Sequence, residues 1–199
     1  MYFFVKRIFD VFLSIALIFF LSPLFFAVIS ISFFKFNRQF LFLQSRAGIN
    51  GKPFTIIKFR SMTSEVDHFG ALLPDRYRVT PYGRFLRSSS IDELPALFNV
   101  IRGDMSFVGP RPLLTSYTPL YSRFQRSRLT VKPGITGLAQ VLGRNSITWR
   151  QRFRLDFLYV KKQSFLLDLL IILLTIWKVL WRHDVNHSSS VTMPAFTGK

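Results

Sequence analysis

The chain has 199 residues, with 27 Lys plus Arg against 10 Asp plus Glu, no cysteine, and 24 phenylalanines within a 49% hydrophobic content. That apolar surplus excludes a disordered tail, the missing thiols exclude a disulfide-built module, and three histidines alone cannot make a structural zinc finger. A formal charge of +17, with 18 arginines to 9 lysines, calls for a polyanionic partner: nucleic acid, anionic lipid or a phosphorylated small molecule.

Residues 8–34 form an apolar run of 27 residues whose one ionisable group is Asp10, long enough as a helix to cross roughly 30 Å of hydrocarbon. Lys6 and Arg7 flank one end, Lys35 and Arg38 the other. Basic residues favour the cytoplasmic side, so a helix bending back on itself suits both clusters better than a straight crossing. Ser22 and Pro23 stand at the midpoint, where proline removes a backbone donor and breaks the helix. The pattern predicts a re-entrant helix-break-helix, with a kinked crossing anchor as the alternative.

Residues 40–62 give two β-prone stretches around Asn50-Gly51, the dipeptide suited to a tight hairpin turn. Lys58 and Arg60 lie two apart on the second stretch and share a face, where strand residues are ordinarily surface charges. Residues 61–78 read as a loop with one short helix. After Ser90, the apolar residues Leu94, Leu97, Phe98 and Ile101 recur at helical spacing up to Gly103. Residues 116–129 and 147–162 look like basic amphipathic helices of the kind that lie on anionic membranes. The last apolar run, residues 165–181, is interrupted by Asp168 and Lys178, so it is read as packed or interfacial. The fold class is therefore mostly α with a small β-hairpin. Its parts are a membrane hairpin over residues 1–36, a compact cytosolic domain with interfacial helices over 37–185, and a tail over 186–199.

Asp92 and Glu93 are adjacent acids in a chain with few, set among Arg84, Arg87, Arg102 and Arg111. One reading is local: Ser90 and Glu93 fit a capping box, and Asp92 could cap a helix whose first turn holds Pro95. The other is chemical. Two carboxylates exceed what one cap requires; magnesium binds through one or two carboxylates plus substrate phosphates; and an aspartate can attack phosphorus to give an acyl phosphate. The glycine and proline pattern of residues 103–112 suits either a structural turn or a fixed backbone presenting Arg111. His183, His187 and a solvated His68 receive no role, and Asp168 facing Lys178 reads as helix decoration.

The stretches KFRSM (58–62), RVTPYGRFLRSSSIDELPALFNVIRGDMSFVGPRP (78–112), KPGITGLAQVLGRN (132–145), and LDFLYV with SFLLDLL (155–170) closely resemble the bacterial sugar transferases, the monotopic polyprenyl-phosphate phosphoglycosyl transferases. The closing Thr, Phe and Gly-Lys pattern is most similar to members that transfer diacetylbacillosamine phosphate. The resemblance implies transfer of a hexose 1-phosphate, of an N-acetylated sugar such as diacetylbacillosamine, from a UDP-sugar to undecaprenyl phosphate. UMP is released and magnesium is required. It implies Asp92 as nucleophile and Glu93 as metal-binding acid, with Asp92 close to the same ion. Lys58, Arg87 and Arg111 become phosphate contacts, and Asp168 a further acid of the substrate site. Leu138 and Leu142 depart from the family pattern, where tryptophan and asparagine are customary, and the run WRQRFR is more basic than usual. The implied location is the bacterial inner membrane, with the catalytic domain facing the cytoplasm and membrane lipids as partners. No nucleic-acid partner is implied, and a homodimer is left open. Direct attack by the lipid phosphate, and a non-catalytic membrane-anchored polyanion binder, are the rival readings.

Overall fold

A computed structural model of the chain describes residues 1–143, 147–181 and 195–198. Helix α1 (Tyr2–Phe20) and helix α2 (Ser22–Lys35) are separated by Leu21 alone and bent by 65°. Pro23 sits in the first turn of α2, where its missing N–H costs nothing to the new helix but cannot continue the old one. Among the described residues no single helix is long and apolar enough to cross a membrane, although this bent pair has the combined length and composition. The arms are 19 and 14 residues long, not two equal halves.

The first arm is fastened to the rest of the molecule by a polar stripe at four-residue spacing. The Tyr2 hydroxyl and the Lys6 ammonium both donate to Asp168 Oδ2, at 2.8 and 2.6 Å. Asp10 Oδ1 accepts the Phe107 N–H at 3.2 Å, and the buried Ser14 hydroxyl turns back to the Asp10 carbonyl. Arg7 donates to the carbonyls of Val100 and Ile101 at the C-terminal end of a later helix, where a cation meets the negative end of the helix dipole.

Strands β1 (Leu41–Ala47) and β2 (Pro53–Phe59) form the expected antiparallel hairpin, with Leu41 opposite Phe59 and Ala47 opposite Pro53. Asn50 and Gly51 both take positive φ at its tip, as the dipeptide predicts. Residues 61–78 contain one short helix, α3 (Asp75–Arg78). Helix α4 (Pro81–Ser88) follows, capped by the Thr80 hydroxyl, which accepts the Gly83 N–H. A 3₁₀ turn (Ile91–Glu93) then precedes α5 (Ala96–Arg102), so the single helix expected after Ser90 is divided at Pro95. Gly103 ends α5 in the left-handed conformation.

Strand β3 (Ser106–Val108) pairs in parallel with β4 (Gly134–Thr136). Between them, the helix expected over residues 116–129 is replaced by a 3₁₀ segment (Thr115–Leu120), the single turn α6 (Arg123–Arg126) and a second 3₁₀ turn (Ser127–Thr130). Pro119 within the first segment, and the Ser122 capping box that restarts the chain, account for the break. Helices α7 (Leu138–Gly143), α8 (Trp149–Lys162) and α9 (Phe165–Leu180) complete the described chain.

One core joins these parts, drawing Phe25 and Val28 from α2, Ile56 and Phe59 from β2, Leu86 from α4, Val100 from α5, Tyr159 from α8 and Ile171 from α9. A second, smaller cluster holds Leu113, Tyr121, Phe153 and Phe196. Helix α9 buries Asp168 and Ile171 and exposes Leu166, Leu170, Leu173 and Leu180, which fits a packed helix with one open apolar face.

Candidate active site

The 3₁₀ turn that carries Asp92 and Glu93 is entered through Ser90 in the left-handed conformation (φ 58°), and Ser90 makes no side-chain cap. The capping-box reading therefore fails: the two carboxylates are released from helix-end duty and turned towards cations. Glu93 Oε1 receives the Lys58 ammonium at 2.6 Å and the Arg111 guanidinium at 2.7 Å. Both cations meet the same oxygen, and no hydrogen bond among the described residues occupies Glu93 Oε2 or either oxygen of Asp92.

Each partner is delivered by a different part of the fold. Lys58 comes from β2, and its register is fixed by Asn99 of α5, which is fully buried. The Asn99 carboxamide accepts the Ile57 N–H at 3.0 Å and donates to the Thr55 carbonyl at 2.8 Å, acting as a further strand partner for β2. Arg111 follows β3 in a rigid loop: the Gly109 N–H donates to the Thr136 carbonyl at 2.9 Å, and the Gly134 N–H to the Pro110 carbonyl at 3.1 Å. A Cβ on Gly134 would lie 2.1 Å from the Gly109 nitrogen, so this close approach of two backbones admits no side chain. Behind the loop, Arg128 donates to the Arg111 carbonyl at 2.6 Å and to the Tyr121 hydroxyl at 3.2 Å. Arg128 is itself paired with Asp156 at 3.2 Å, both side chains 3% exposed.

The electrostatics divide the acid pair. Burial works to raise the Glu93 carboxyl, but Arg111 and Lys58 outweigh it and hold the group well below the usual carboxylate range. Asp92 is pushed up to about 6 by burial and by the neighbouring Glu93 charge, partly offset by Lys58, Arg111 and Arg87. Lys58 is lowered by burial despite Glu93, and Arg111 is raised by Glu93. The result is one carboxylate locked in an ion-pair network and one, beside it, with open lone pairs. An open carboxylate among cations is suited to attack on an anionic phosphorus whose oxygens those cations hold.

The structure thus brings Asp92, Glu93, Lys58 and Arg111 together. Arg87, at the end of α4, lies within electrostatic reach of Asp92, and its guanidinium meets Met62 Sδ at 3.5 Å. Asp168 has other partners: Tyr2, Lys6 and the Tyr159 hydroxyl at 2.8 Å, so it ties α1, α8 and α9 to one another. Lys58 is half-buried and paired, not a surface charge, whereas Arg60 lies beyond the strand and donates to Ser64. Ser22 and Pro23 begin α2. His68 is exposed as expected, His183 and His187 lie outside the described residues, and Leu142 is exposed on α7. The sequence alone assigns no role to Asn99, Arg46, Arg128 or Asp156, and marks Phe196 only through the closing Thr, Phe and Gly-Lys pattern. For Asp156 a signal existed: an acid at one-turn spacing from Phe153 and Tyr159, on the apolar face of its helix.

A family model described as "Bacterial sugar transferase" matches residues 1–182. The chain belongs to the bacterial sugar transferase family. It is 49% identical over 193 residues to the uncharacterized sugar transferase EpsL of Bacillus subtilis, covering 97% of this chain and 96% of that one. It is 39% identical to the UDP-glucose:undecaprenyl-phosphate glucose-1-phosphate transferase of Klebsiella pneumoniae, over 87% of this chain and 39% of that one. It is 37% identical to the UDP-N-acetylgalactosamine-undecaprenyl-phosphate N-acetylgalactosaminephosphotransferase of Aeromonas hydrophila, over 90% of this chain and 44% of that one. The matched region in this sugar transferase includes the bent helices, the acid pair and all its cationic partners.

Proposed function

We propose that this enzyme transfers a hexose 1-phosphate from a UDP-sugar to undecaprenyl phosphate through a covalent intermediate on Asp92. The observation that carries this reading is the division of labour in the acid pair: Glu93 clamped by Lys58 and Arg111, Asp92 open. An Asp92 oxygen attacks the β-phosphorus of the donor. The bond from that phosphorus to the bridging oxygen breaks, and UMP departs with the oxygen. A phosphate oxygen of undecaprenyl phosphate then attacks the same phosphorus, the acyl-phosphate bond breaks, and the Asp92 carboxylate is restored with the lipid diphosphate sugar as product. Lys58, Arg87 and Arg111 hold the phosphoryl oxygens while charge moves between them.

The free oxygen of Glu93 and the Asp92 carboxylate form an all-oxygen donor set that suits magnesium, which binds one or two carboxylates together with substrate phosphates. When bound there, the ion neutralises the diphosphate and orients it.

In this reading α1 and α2 form a re-entrant anchor in the inner membrane, with the catalytic domain on the cytoplasmic side. If both arms slope equally, the 65° bend inclines each by about half that angle. A 14-residue arm, at ~1.5 Å per residue, then takes the vertex about 11 Å deep, within one leaflet of a roughly 30 Å hydrocarbon layer. Phe12, Phe19, Phe20 and Phe26 are exposed along it and face lipid. The sugar is an N-acetylated hexose, as in the Aeromonas relative's name, and the enzyme makes the first membrane-bound product of a glycan or glycoprotein pathway.

The decisive experiment incubates enzyme and magnesium with labelled UDP-sugars, without lipid acceptor. The expected result is one UMP per site and a sugar-phosphate adduct on Asp92, both lost in Asp92→Asn while membrane association is kept. No adduct and no UMP without acceptor, from enzyme that turns over fully once undecaprenyl phosphate is added, would instead establish direct attack by the lipid phosphate. Cysteines at Phe3 and Arg38 should label from the same side of the membrane; opposite sides would establish a crossing helix.

A further inference from the structure

Arg46, on β1, is a half-buried arginine beside the Arg111 loop whose hydrogen bonds all go to neutral groups. Its guanidinium donates to the Gln44 side-chain carbonyl and to the Pro112 carbonyl, both neutral, and its Nε is buried without a hydrogen bond. No carboxylate among the described residues pairs with it, whereas its neighbour Arg128 is matched by Asp156 and Arg111 by Glu93. Burial and the nearby Arg111 charge lower the Arg46 group to about 10. A cation withdrawn from water without a counter-charge is costly unless an anion is delivered to it. Among the described residues Lys58, Arg46, Arg87, Arg111 and Arg128 stand around the carboxylates of Asp92, Glu93 and Asp156, a surplus of cations that a diphosphate offsets.

The position of Arg46 indicates which substrate supplies that anion. In the hairpin register Lys58 stands opposite Phe42, and Arg46 lies four residues further along β1, ~13 Å away at ~3.3 Å per residue. That direction runs from the end of the strand next to α2 towards the Asn50-Gly51 tip. In the proposed function the lipid acceptor comes from the side of α1 and α2, which leaves the Arg46 end of the hairpin to the soluble donor. The reach of an arginine side chain closes much of the gap to the Lys58-Glu93-Arg111 cluster, and Arg46 also packs beside the loop that carries Arg111.

We infer that Arg46, next to Arg111, holds the nucleotide-side phosphate of the donor, the group that leaves as UMP. This rests on the proposed function, and it adds a residue that recognises the leaving half of the substrate. Both substrates contain a phosphate, so the test separates them. UDP-glucose and UDP-N-acetylgalactosamine serve as donors, with UMP as product inhibitor and undecaprenyl phosphate as acceptor. Relative to wild type, Arg46→Gln should raise the KM for the accepted donor at least ten-fold and weaken UMP inhibition by a similar factor. The KM for undecaprenyl phosphate, and the rate at which a preformed adduct discharges to it, should not change. Arg46→Lys, which keeps the charge without the fork, should lie between the two and guards against a folding defect in the glutamine variant. Unchanged donor KM and UMP inhibition in both variants would overturn the inference while leaving the transfer reaction intact. A rise confined to the acceptor KM would reassign Arg46 to the lipid phosphate. Wild-type enzyme that releases no UMP from any donor would remove the parent reading and this one with it.

Discussion

The Arg128–Asp156 pair permits a quantitative prediction, because its two side chains are each 3% exposed and its other contacts are known. In Asp156→Asn the Arg128 charge stays buried without a counter-ion, over the Phe153 ring at 5.5 Å and the Tyr121 ring at 5.9 Å. Breaking such a pair from one side costs about 3–5 kcal/mol. At ~2–4 °C per kcal/mol for a domain of this size, the apparent thermal midpoint in detergent should fall by roughly 6–20 °C. Removing both charges, as in Arg128→Met with Asp156→Leu, should recover part of that loss, since an apolar pair of similar volume replaces the ionic one while Arg152, which also faces Asp156, loses that acid's field. Activity should not recover with it. The Arg111 carbonyl loses its 2.6 Å donor in the double variant, so adduct formation from UDP-sugar should stay at least ten-fold below wild type at a temperature where both proteins are folded. A shift under about 2 °C for Asp156→Asn would refute the claim that the pair is mutually required. A double variant with full activity would refute the claim that Arg128 positions Arg111.

Further outcomes follow from the same geometry. In the proposed reaction Asp92 attacks as the carboxylate, and its pKa is pushed up to about 6, so adduct formation should rise with pH through about 6 and level off above it; a rate flat from pH 5 to 8 would contradict this. Asn99→Leu should slow adduct formation and lower the thermal midpoint by freeing β2 from α5, and in a Lys58→Ala background it should cost little further activity; additive losses would show that Asn99 does not act through Lys58. Gly83→Ala would place a Cβ 1.8 Å from the Ser61 carbonyl oxygen, so α4 must shift. Circular dichroism should show retained helix while turnover falls, and wild-type turnover would show that α4 does not set Arg87.

The acid pair could be read from sequence because acids are scarce in this chain, so two together among arginines stand out. The hairpin tip was equally legible, since Asn-Gly has few conformations to choose from. The partner of Lys58 was not, because strand alternation says which face a side chain occupies but not what packs there. Asn99 lies within an apolar helical run, and its purpose depends on β2, more than forty positions earlier. The polar stripe of Tyr2, Lys6, Asp10 and Ser14 has a helical period, but in so apolar a segment the period alone does not say which partners it docks against. Pro119 similarly overruled an aromatic and basic rhythm that resembles a helix on paper.

The hydrogen bonds from Tyr2 and Lys6 to Asp168 join the first turn of the molecule to its last long helix, with Tyr159 closing the clasp from a third. A helix so fastened is no detachable stalk. Removing Tyr2 and Lys6 would strip the buried Asp168 carboxylate of two of the three donors it has among the described residues, so fragments that lack them should be poor surrogates for the enzyme. Tyr2 and Lys6 are the keystone of that joint.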